Sequence, residues 1–517
     1  MNLAHHLVRA ARELPELDAL RWPGSAITFA ELERKSSAIA HGLAERGLSR
    51  GERGALFVRP GPELVAIVFA LFRIGAVPVL IDPGMGREGL ARCLGRANPK
   101  ALLGIARAHA LARPALCVRV GPGWFPGTTS LHALARPDKG AFAPLELEPG
   151  APAAILFTSG STGPAKGVSY THANFEAQIE SLRALYGLAR GQVDLACFPL
   201  FALTNTALQR TSVFPRMDFA RPARCDPAAI VAALHEQRVT DTFGSPAIWR
   251  RVVPWCAQRC LKLPSLERAM IAGASVEPAL IDGFRALLGP GGDVHTPYGA
   301  TEALPVSTLS GAEITGRLRA RIERGHGTCV GRAAPGVEIA LFESDGTRRV
   351  APGELGEICV RGAMVTREYA DDPEATAAAK IVEGPTFWHR MGDIGYQDAE
   401  GLLWFCGRKS QRLVTAAGTF LPVPTESLFD RHPKVRRSAL VGVGPRGSER
   451  PVLVVEGPRR EPSELVSFAQ ANAAPALPHP LPKVERVLFR ESLPVDARHN
   501  AKIRREELKR WAEGELA

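Results

Sequence analysis

The chain has 517 residues, 45% hydrophobic and 23% charged, which excludes intrinsic disorder and leaves room for a large multilayer unit plus a smaller one. Its formal net charge of +11 suits anionic partners such as nucleotide phosphates or an acidic protein. No basic run is interleaved with aromatics, so nucleic acid is not expected as a partner.

In chain order, the opening MNLAHHLVRAARELPEL is amphipathic with mixed charges and lacks the apolar core and cleavage site of a signal peptide, so a cytoplasmic protein is expected. The longest apolar stretch, LVAIVFALF at 64–72, stops at Arg73. It falls far short of the roughly 20 residues that a membrane span requires and predicts a buried helix. Around it ALFVRP, PELVAIVFALFRIG, VPVLIDP and REGLARCLGRA alternate strand-like and helix-like patterns, which argues for α/β layers with mostly parallel sheets. GPGWFPG at 121–127 and PALPHPLP at 475–482 are Pro/Gly-rich connectors. The nine cysteines are scattered singly, and the nearest pair, Cys256 and Cys260, is spaced for one helix face with no further ligand nearby. Reduced thiols are expected rather than disulfides or a zinc site.

The segment FTSGSTGPAKG at 157–167 packs glycines, hydroxyls and one lysine into eleven residues. AAILF before it reads as a buried strand and HANFEAQIESLRALY after it as a helix. Gly160 and Gly163 lie three apart and Lys166 is followed by Gly167, so the common nucleotide loop, with Gly-Lys-Ser/Thr four residues after its first glycine, is absent. Backbone N–H groups, hydroxyls and Lys166 could cradle phosphates as glycine-rich nests do, and taken alone the segment fits a solvated linker as well. A boundary is expected near GLLWFCGRKSQR. From Gly407 onward there are 20 Lys/Arg against 13 Asp/Glu, and ALVGVG, PVLVVEG, SELVSFAQANA, VERVLFR and REELKRWAEGEL suffice for a small α/β unit.

Three further segments follow the loop in order: TPYGATEA at 296–303, HRMGDIGYQDAEGLLWFCGRK at 389–409 and HNAKIRRE at 499–506. Together with the loop they resemble the adenylate-forming superfamily of acyl-CoA synthetases, nonribosomal-peptide adenylation domains and luciferases, from about Ala26 to the C-terminus. The resemblance implies an α/β protein with a large multi-sheet N-terminal adenylation domain, residues 1–408, and a small mobile α/β C-terminal domain, residues 409–517. It also implies ATP and Mg²⁺, which convert a carboxylate into acyl-AMP and pyrophosphate.

Carried over by motif, Thr158, Ser159, Gly160, Ser161, Thr162, Gly163 and Lys166 would clamp the β- and γ-phosphates. In YGATE, Tyr298, Gly299 and Ala300 would contact the nucleotide, with the Tyr298 ring facing adenine. Thr301 would reach the α-phosphate, and Glu302 would bind Mg²⁺, which prefers oxygen ligands. Gly273, Ala274 and Ser275 resemble the adenine-contacting turn, Asp393 the ribose-binding carboxylate and Arg408 the hinge-proximal arginine. Lys502 would bridge the attacking carboxylate and the α-phosphate, where negative charge accumulates in the transition state.

Departures from the superfamily pattern narrow the acceptor. Ala202 stands where many acyl-CoA synthetases carry a histidine, Ser410 where the hinge carries an aspartate, and Ala501 where a glycine precedes the catalytic lysine. These changes touch the thioester half-reaction. The wording of FPLFAL, MDFARPARCDP, the 389–412 segment and RHNAKIRRE resembles the β-lactone synthetases of bacterial long-chain olefin biosynthesis. That resemblance implies a long-chain 2-alkyl-3-hydroxy acid substrate whose own 3-hydroxyl displaces AMP to close a cis-β-lactone. It also implies pathway neighbours such as a β-lactone decarboxylase and a reductase. Arg498 and His499 are candidates to orient or deprotonate the hydroxyl, and a purely structural pair fits them equally. A long-chain acyl-CoA or acyl-carrier-protein ligase, and a noncatalytic binding protein on the same fold, are the alternative readings.

Overall fold

A computed structural model describes residues 1–158, 165–495 and 503–517. Its first large sheet runs in the order Asp293–His295, Arg268–Ile271, Asp241–Gly244, Val193–Ala196, Thr211–Val213, Asp18–Trp22 and Ser25–Thr28, parallel except for the last strand. The second runs Glu368–Tyr369, Lys166–Thr171, Pro152–Thr158, Val77–Ile81, Arg53–Phe57, Ala101–Gly104, Leu116–Arg119 and Thr129–Ser130. Its first two pairings are antiparallel, so that Lys166–Thr171 runs against its neighbours, and the rest are parallel.

One apolar cluster joins these two sheets. It takes Leu20 and Ala196 from the first, Leu56 and Leu103 from the second, and the helices Phe29–Glu45 and Pro62–Arg73. Every residue of Pro62–Arg73 except Glu63 is buried, as expected for a helix whose stretch 64–72 is apolar and too short for a membrane. Its final Arg73 is tolerated inside because its guanidinium donates to Glu33 at 2.7 Å and Ser36 at 3.1 Å. Among the described residues no helix is long and apolar enough to cross a membrane.

The third large sheet departs from the expected parallel pattern. Tyr298–Ala300, Ala303–Thr308, Thr328–Ala333, Leu403–Arg408, Thr386–Gln397, Gly356–Gly362 and Val337–Phe342 are antiparallel throughout, with Lys380–Glu383 paired to Thr386–Gln397. Short connections make hairpins of Tyr298–Ala300 with Ala303–Thr308, Lys380–Glu383 with Thr386–Gln397, and Thr386–Gln397 with Leu403–Arg408, and a hairpin pairs its strands antiparallel. HANFEAQIESLRALY forms the expected helix, His172–Tyr186, and a strand, Lys166–Thr171, lies between it and the Gly/Ser segment. Thr171 caps that helix by accepting from Asn174 N–H, so the run Val168–Thr171, with strand-favouring Val, Tyr and Thr, stays extended up to the cap. Cys260 does not share a helix face with Cys256, since the helix Pro246–Gln258 has ended and Cys260 takes a left-handed φ of 54°. All nine cysteines are free thiols.

Beyond residue 412 a small sheet orders Arg437–Val443, Arg450–Glu456 and Arg486–Arg490, flanked by helices Pro422–Asp430, Pro462–Asn472 and Arg505–Leu516. Its two faces bury separate apolar clusters, one around Val441 and Leu508 and the other around Leu453 and Leu465.

Candidate active site

The Gly/Ser segment connects two antiparallel strands, with Phe157 opposite Gly167 and Thr158 opposite Lys166. Gly167 is required by packing, since a Cβ there would lie 2.8 Å from the Phe157 ring. Ser159, Gly160, Ser161, Thr162 and Gly163 lie outside the described residues, as does the Thr158 side chain. Lys166 stands where the second strand begins, its ammonium 4.8 Å from the centre of the Tyr369 ring. Tyr369 sits on the edge strand that pairs with Lys166–Thr171, and its hydroxyl donates to Glu302 Oε1 at 2.7 Å. Burial, reinforced by the Glu302 carboxylate, pushes the Tyr369 phenol far above its ordinary range, so it is a hydrogen-bond donor at any working pH.

Glu302 and Thr301 form the tip of the hairpin between Tyr298–Ala300 and Ala303–Thr308. Close pairing at this tip leaves no room for a side chain at Gly299, where a Cβ would fall 2.5 Å from the Ala303 carbonyl. The Tyr170 hydroxyl donates to the Thr301 carbonyl, and Thr366 N–H donates to the Glu302 carbonyl at 2.9 Å. The second and third sheets thus hold the YGATE turn between them.

Behind the turn lie two residues that the sequence reading did not single out. Lys380 donates to the Thr366 carbonyl and sits 3.0 Å from His389 Nδ1. Burial lowers the Lys380 amine to about 7 against the attraction of Glu302, with Arg367 adding to the depression. His389 is 2% exposed, and burial followed by the charges of Lys380 and Lys166 takes it well below its usual value. It is neutral and accepts from Lys380.

The surroundings of Asp393 are wired differently. Asp393 and Arg408 face each other in the register of two paired strands, with Arg408 Nη1 2.9 Å from Asp393 Oδ1. The Tyr298 hydroxyl donates to Asp393 Oδ2 at 2.6 Å. Burial and then the neighbouring carboxylate raise the Tyr298 phenol well above its usual value, and Asp393 raises the Arg408 guanidinium. The Tyr298 ring stands 6.2 Å from that of Phe405. Both oxygens of a 2%-exposed carboxylate are therefore engaged from two sides, which fixes its direction.

Gly273, Ala274 and Ser275 follow the carboxyl end of Arg268–Ile271, where parallel sheets place their ligands. Gly273 has φ +97°, a turn conformation that a side chain would strain. Beside them, Phe201 stacks on Phe243 at 4.2 Å and Phe198 meets both rings within 6.1 Å, at the carboxyl ends of Val193–Ala196 and Asp241–Gly244. Ala202 is fully buried in the helix Phe201–Ala207. Arg498, His499, Ala501 and Lys502 lie outside the described residues. Just past them, Arg505 is fixed by both oxygens of Glu426, at 2.5 and 2.8 Å, and by Gln411 at 3.1 Å.

The profile of the AMP-binding enzyme family matches residues 7–370. The chain belongs to this family. It is an AMP-forming synthetase of the adenylate-forming superfamily, as its motifs imply. It is 43% identical to the olefin β-lactone synthetase of Stenotrophomonas maltophilia strain K279a, in an alignment covering all of this chain and 98% of that protein. In fold it is similar to the amide bond synthetase McbA from Marinactinospora thermotolerans, with a TM-score of 0.83 at 24% identity over 99% of both chains. It is also similar to the o-succinylbenzoate coenzyme A synthetase MenE from Bacillus subtilis in complex with ATP and magnesium ion, with a TM-score of 0.78 at 23% identity over 98% of this chain and 99% of that one.

Proposed function

We propose that the protein is an ATP-dependent β-lactone synthetase acting on long-chain 2-alkyl-3-hydroxyalkanoic acids. The observation that carries this reading is the 43% identity, end to end, with a protein of that name. Buried Ala202, at the position where many acyl-CoA synthetases carry a histidine, agrees with an enzyme that needs no external thiol.

In the first half-reaction a substrate carboxylate oxygen attacks the α-phosphorus of ATP. The bond to the β-phosphate oxygen breaks and pyrophosphate leaves. Lys166 and the hydroxyl-rich loop hold the β- and γ-phosphates, Thr301 the α-phosphate, and Asp393 the ribose hydroxyls, with Arg408 and Tyr298 keeping that carboxylate aimed. The donor set fits a magnesium nucleotide. Glu302 offers one hard anionic oxygen, and among the described residues no cluster of three or more His, Cys, Asp or Glu could hold a metal ion. Phosphate oxygens and waters would complete the shell, as Mg²⁺ prefers. When bound, the ion neutralises charge on the phosphates.

In the second half-reaction the 3-hydroxyl oxygen attacks the acyl carbon, its proton leaves, and AMP departs as the four-membered ring closes. Holding nucleophile and electrophile in one molecule supplies a large effective molarity, offset in part by ring strain. Phe198, Phe201 and Phe243 offer apolar surface to the alkyl chains. Residues 409–517 act as a mobile domain that brings Lys502 to the reacting carboxylate and Arg498 and His499 to the hydroxyl. The setting is the cytoplasm, alongside enzymes that decarboxylate the lactone and reduce its precursor.

The test supplies a 2-alkyl-3-hydroxy acid with ATP and Mg²⁺ and no CoA, with product identified by NMR. AMP, pyrophosphate and a cis-β-lactone are expected, while the matching acid lacking the 3-hydroxyl stalls after adenylation. CoA thioesters from both acids at comparable rates, without lactone, would leave a plain acyl-CoA synthetase. In either case Lys502→Ala is expected to slow pyrophosphate release roughly 10²- to 10³-fold, the scale of one lost transition-state contact.

A further inference from the structure

Trp124 is the largest hydrophobic side chain exposed among the described residues, at 77%. It stands in the connector GPGWFPG, held in place by its neighbour. Phe125 packs 5.9 Å from the His109 ring and 5.1 Å beneath the Arg113 guanidinium, and its carbonyl accepts from Thr128 at 2.7 Å. The indole is thus displayed on an ordered loop.

The sequence around it is predominantly basic. From Gly89 to Pro137 it has seven Lys/Arg and no Asp or Glu, with Asp82 and Glu88 the acidic residues just before that stretch. Arg107 and Arg119 lie at or just past the carboxyl ends of Ala101–Gly104 and Leu116–Arg119, and Arg59 and Arg87 follow the carboxyl ends of Arg53–Phe57 and Val77–Ile81. Among the described residues none of these four, nor Arg113, forms an ion pair with a carboxylate, whereas Arg53, Arg96, Arg136 and Arg268 each do. The Trp124 loop and the phosphate loop leave the same end of one sheet, because Leu116–Arg119 and Pro152–Thr158 run parallel to the strands between them. Four strand spacings separate the two, or about 19 Å at ~4.8 Å each. An arginine rim ending in an exposed tryptophan therefore flanks the side of the molecule on which the nucleotide loop opens.

We infer that this rim docks the enzyme on an anionic lipid surface, with Trp124 entering the headgroup layer and the unpaired arginines meeting lipid phosphates. Tryptophan prefers that layer because its ring is apolar and its N–H is polar, and arginines add electrostatic attraction to anionic lipid. Resting on the proposed function, the docking also has a use: a two-chain hydroxy acid partitions into bilayers, and the enzyme would draw it from there. No transmembrane or lipidated segment is needed for reversible association of this kind.

Vesicle sedimentation of the full chain tests this without ATP or substrate, so its outcome is separate from that of the lactone assay. Binding is expected to vesicles with 30% phosphatidylglycerol, at least tenfold weaker to pure phosphatidylcholine, and reversed by 0.5 M salt. Trp124→Ser and, separately, Arg87→Glu with Arg107→Glu should each weaken binding about fivefold or more, with adenylation of a short, soluble acid unchanged. Absence of binding to anionic vesicles would overturn the proposal and leave the rim to an acidic protein. Binding equally strong in both variants, or equal on both lipids, would overturn it as well.

Discussion

The two ends of the site hold their carboxylates in opposite ways. Asp393 is clamped by Arg408 and Tyr298, all three on the third sheet, and two of them fall opposite each other in a single strand register. Among the described residues the Glu302 side chain receives one hydrogen bond, from Tyr369 on the second sheet, while Lys166 lies across the same ring and Lys380 acts on Glu302 through space. The Asp393 carboxylate is fixed in direction before any ligand arrives, and Glu302 keeps coordinating capacity. On the roles proposed for them, the difference follows from task. Ribose hydroxyls need a carboxylate at one angle, whereas phosphates and a hard cation need a site whose charge is not already neutralised.

The comparison predicts that the clamp is the costlier element to break. Asp393→Asn leaves the Arg408 guanidinium buried beside a neutral amide. Loss of one partner of a buried pair costs roughly 3 kcal/mol or more of stability, and losing a charged acceptor for the ribose hydroxyls should weaken ATP binding roughly 10- to 10²-fold. Calorimetric titration with ATP should show that weakening, accompanied by a lower Tm. Affinity within threefold of wild type would mean that the ribose end is not at Asp393.

Glu302→Gln should act differently. The amide keeps the shape and can still accept from Tyr369, but it removes the hard anionic ligand. The Mg²⁺ concentration for half-maximal adenylation is expected to rise about tenfold, with Tm unchanged within a degree or two. An unchanged Mg²⁺ dependence would remove Glu302 from the metal site. Tyr369→Phe, which deletes one hydrogen bond worth about 1 kcal/mol, should give a shift in the same direction of about fivefold.

What the sequence disclosed follows the same division. Asp393 and Arg408 stand in one hairpin within the single segment 389–409, so their proximity was legible from spacing. So were the buried helix at 62–73, the alternation that builds the two parallel sheets, the small C-terminal sheet and the family itself. The antiparallel third sheet was not, because an alternating run of five or six residues does not say which neighbour it pairs with. Nor was the phosphate end, where Tyr369 reaches Glu302 across 67 residues and Lys380 meets His389 through a sheet pairing. Lys380 in ATAAAKIVEG looks like any surface lysine at the end of a short helix. Only its tertiary burial changes its chemistry.

That burial supplies the finest test of the contrast. A Lys380 amine at about 7 is charged below neutrality and neutral above it, so its contribution to the phosphate end depends on pH. At pH 6 the wild-type ammonium adds positive potential beside Glu302 and the loop, favouring the bound nucleotide. At pH 8.5 the wild-type amine is mostly uncharged. Lys380→Met, similar in length and without the amine, should therefore raise KM for ATP about threefold to tenfold at pH 6, with the two enzymes converging by pH 8.5. The same substitution acts on stability with its own sign. A lysine depressed from 10.5 to about 7 makes the wild-type fold gain stability as pH rises through that window, because the unfolded chain holds the proton more tightly. The variant should lose this rise in Tm between pH 7 and 10. A KM ratio that stays constant from pH 6 to 8.5 would show that Lys380 supports the turn by packing alone, and the asymmetry between the two ends would then rest on Tyr369 and Lys166.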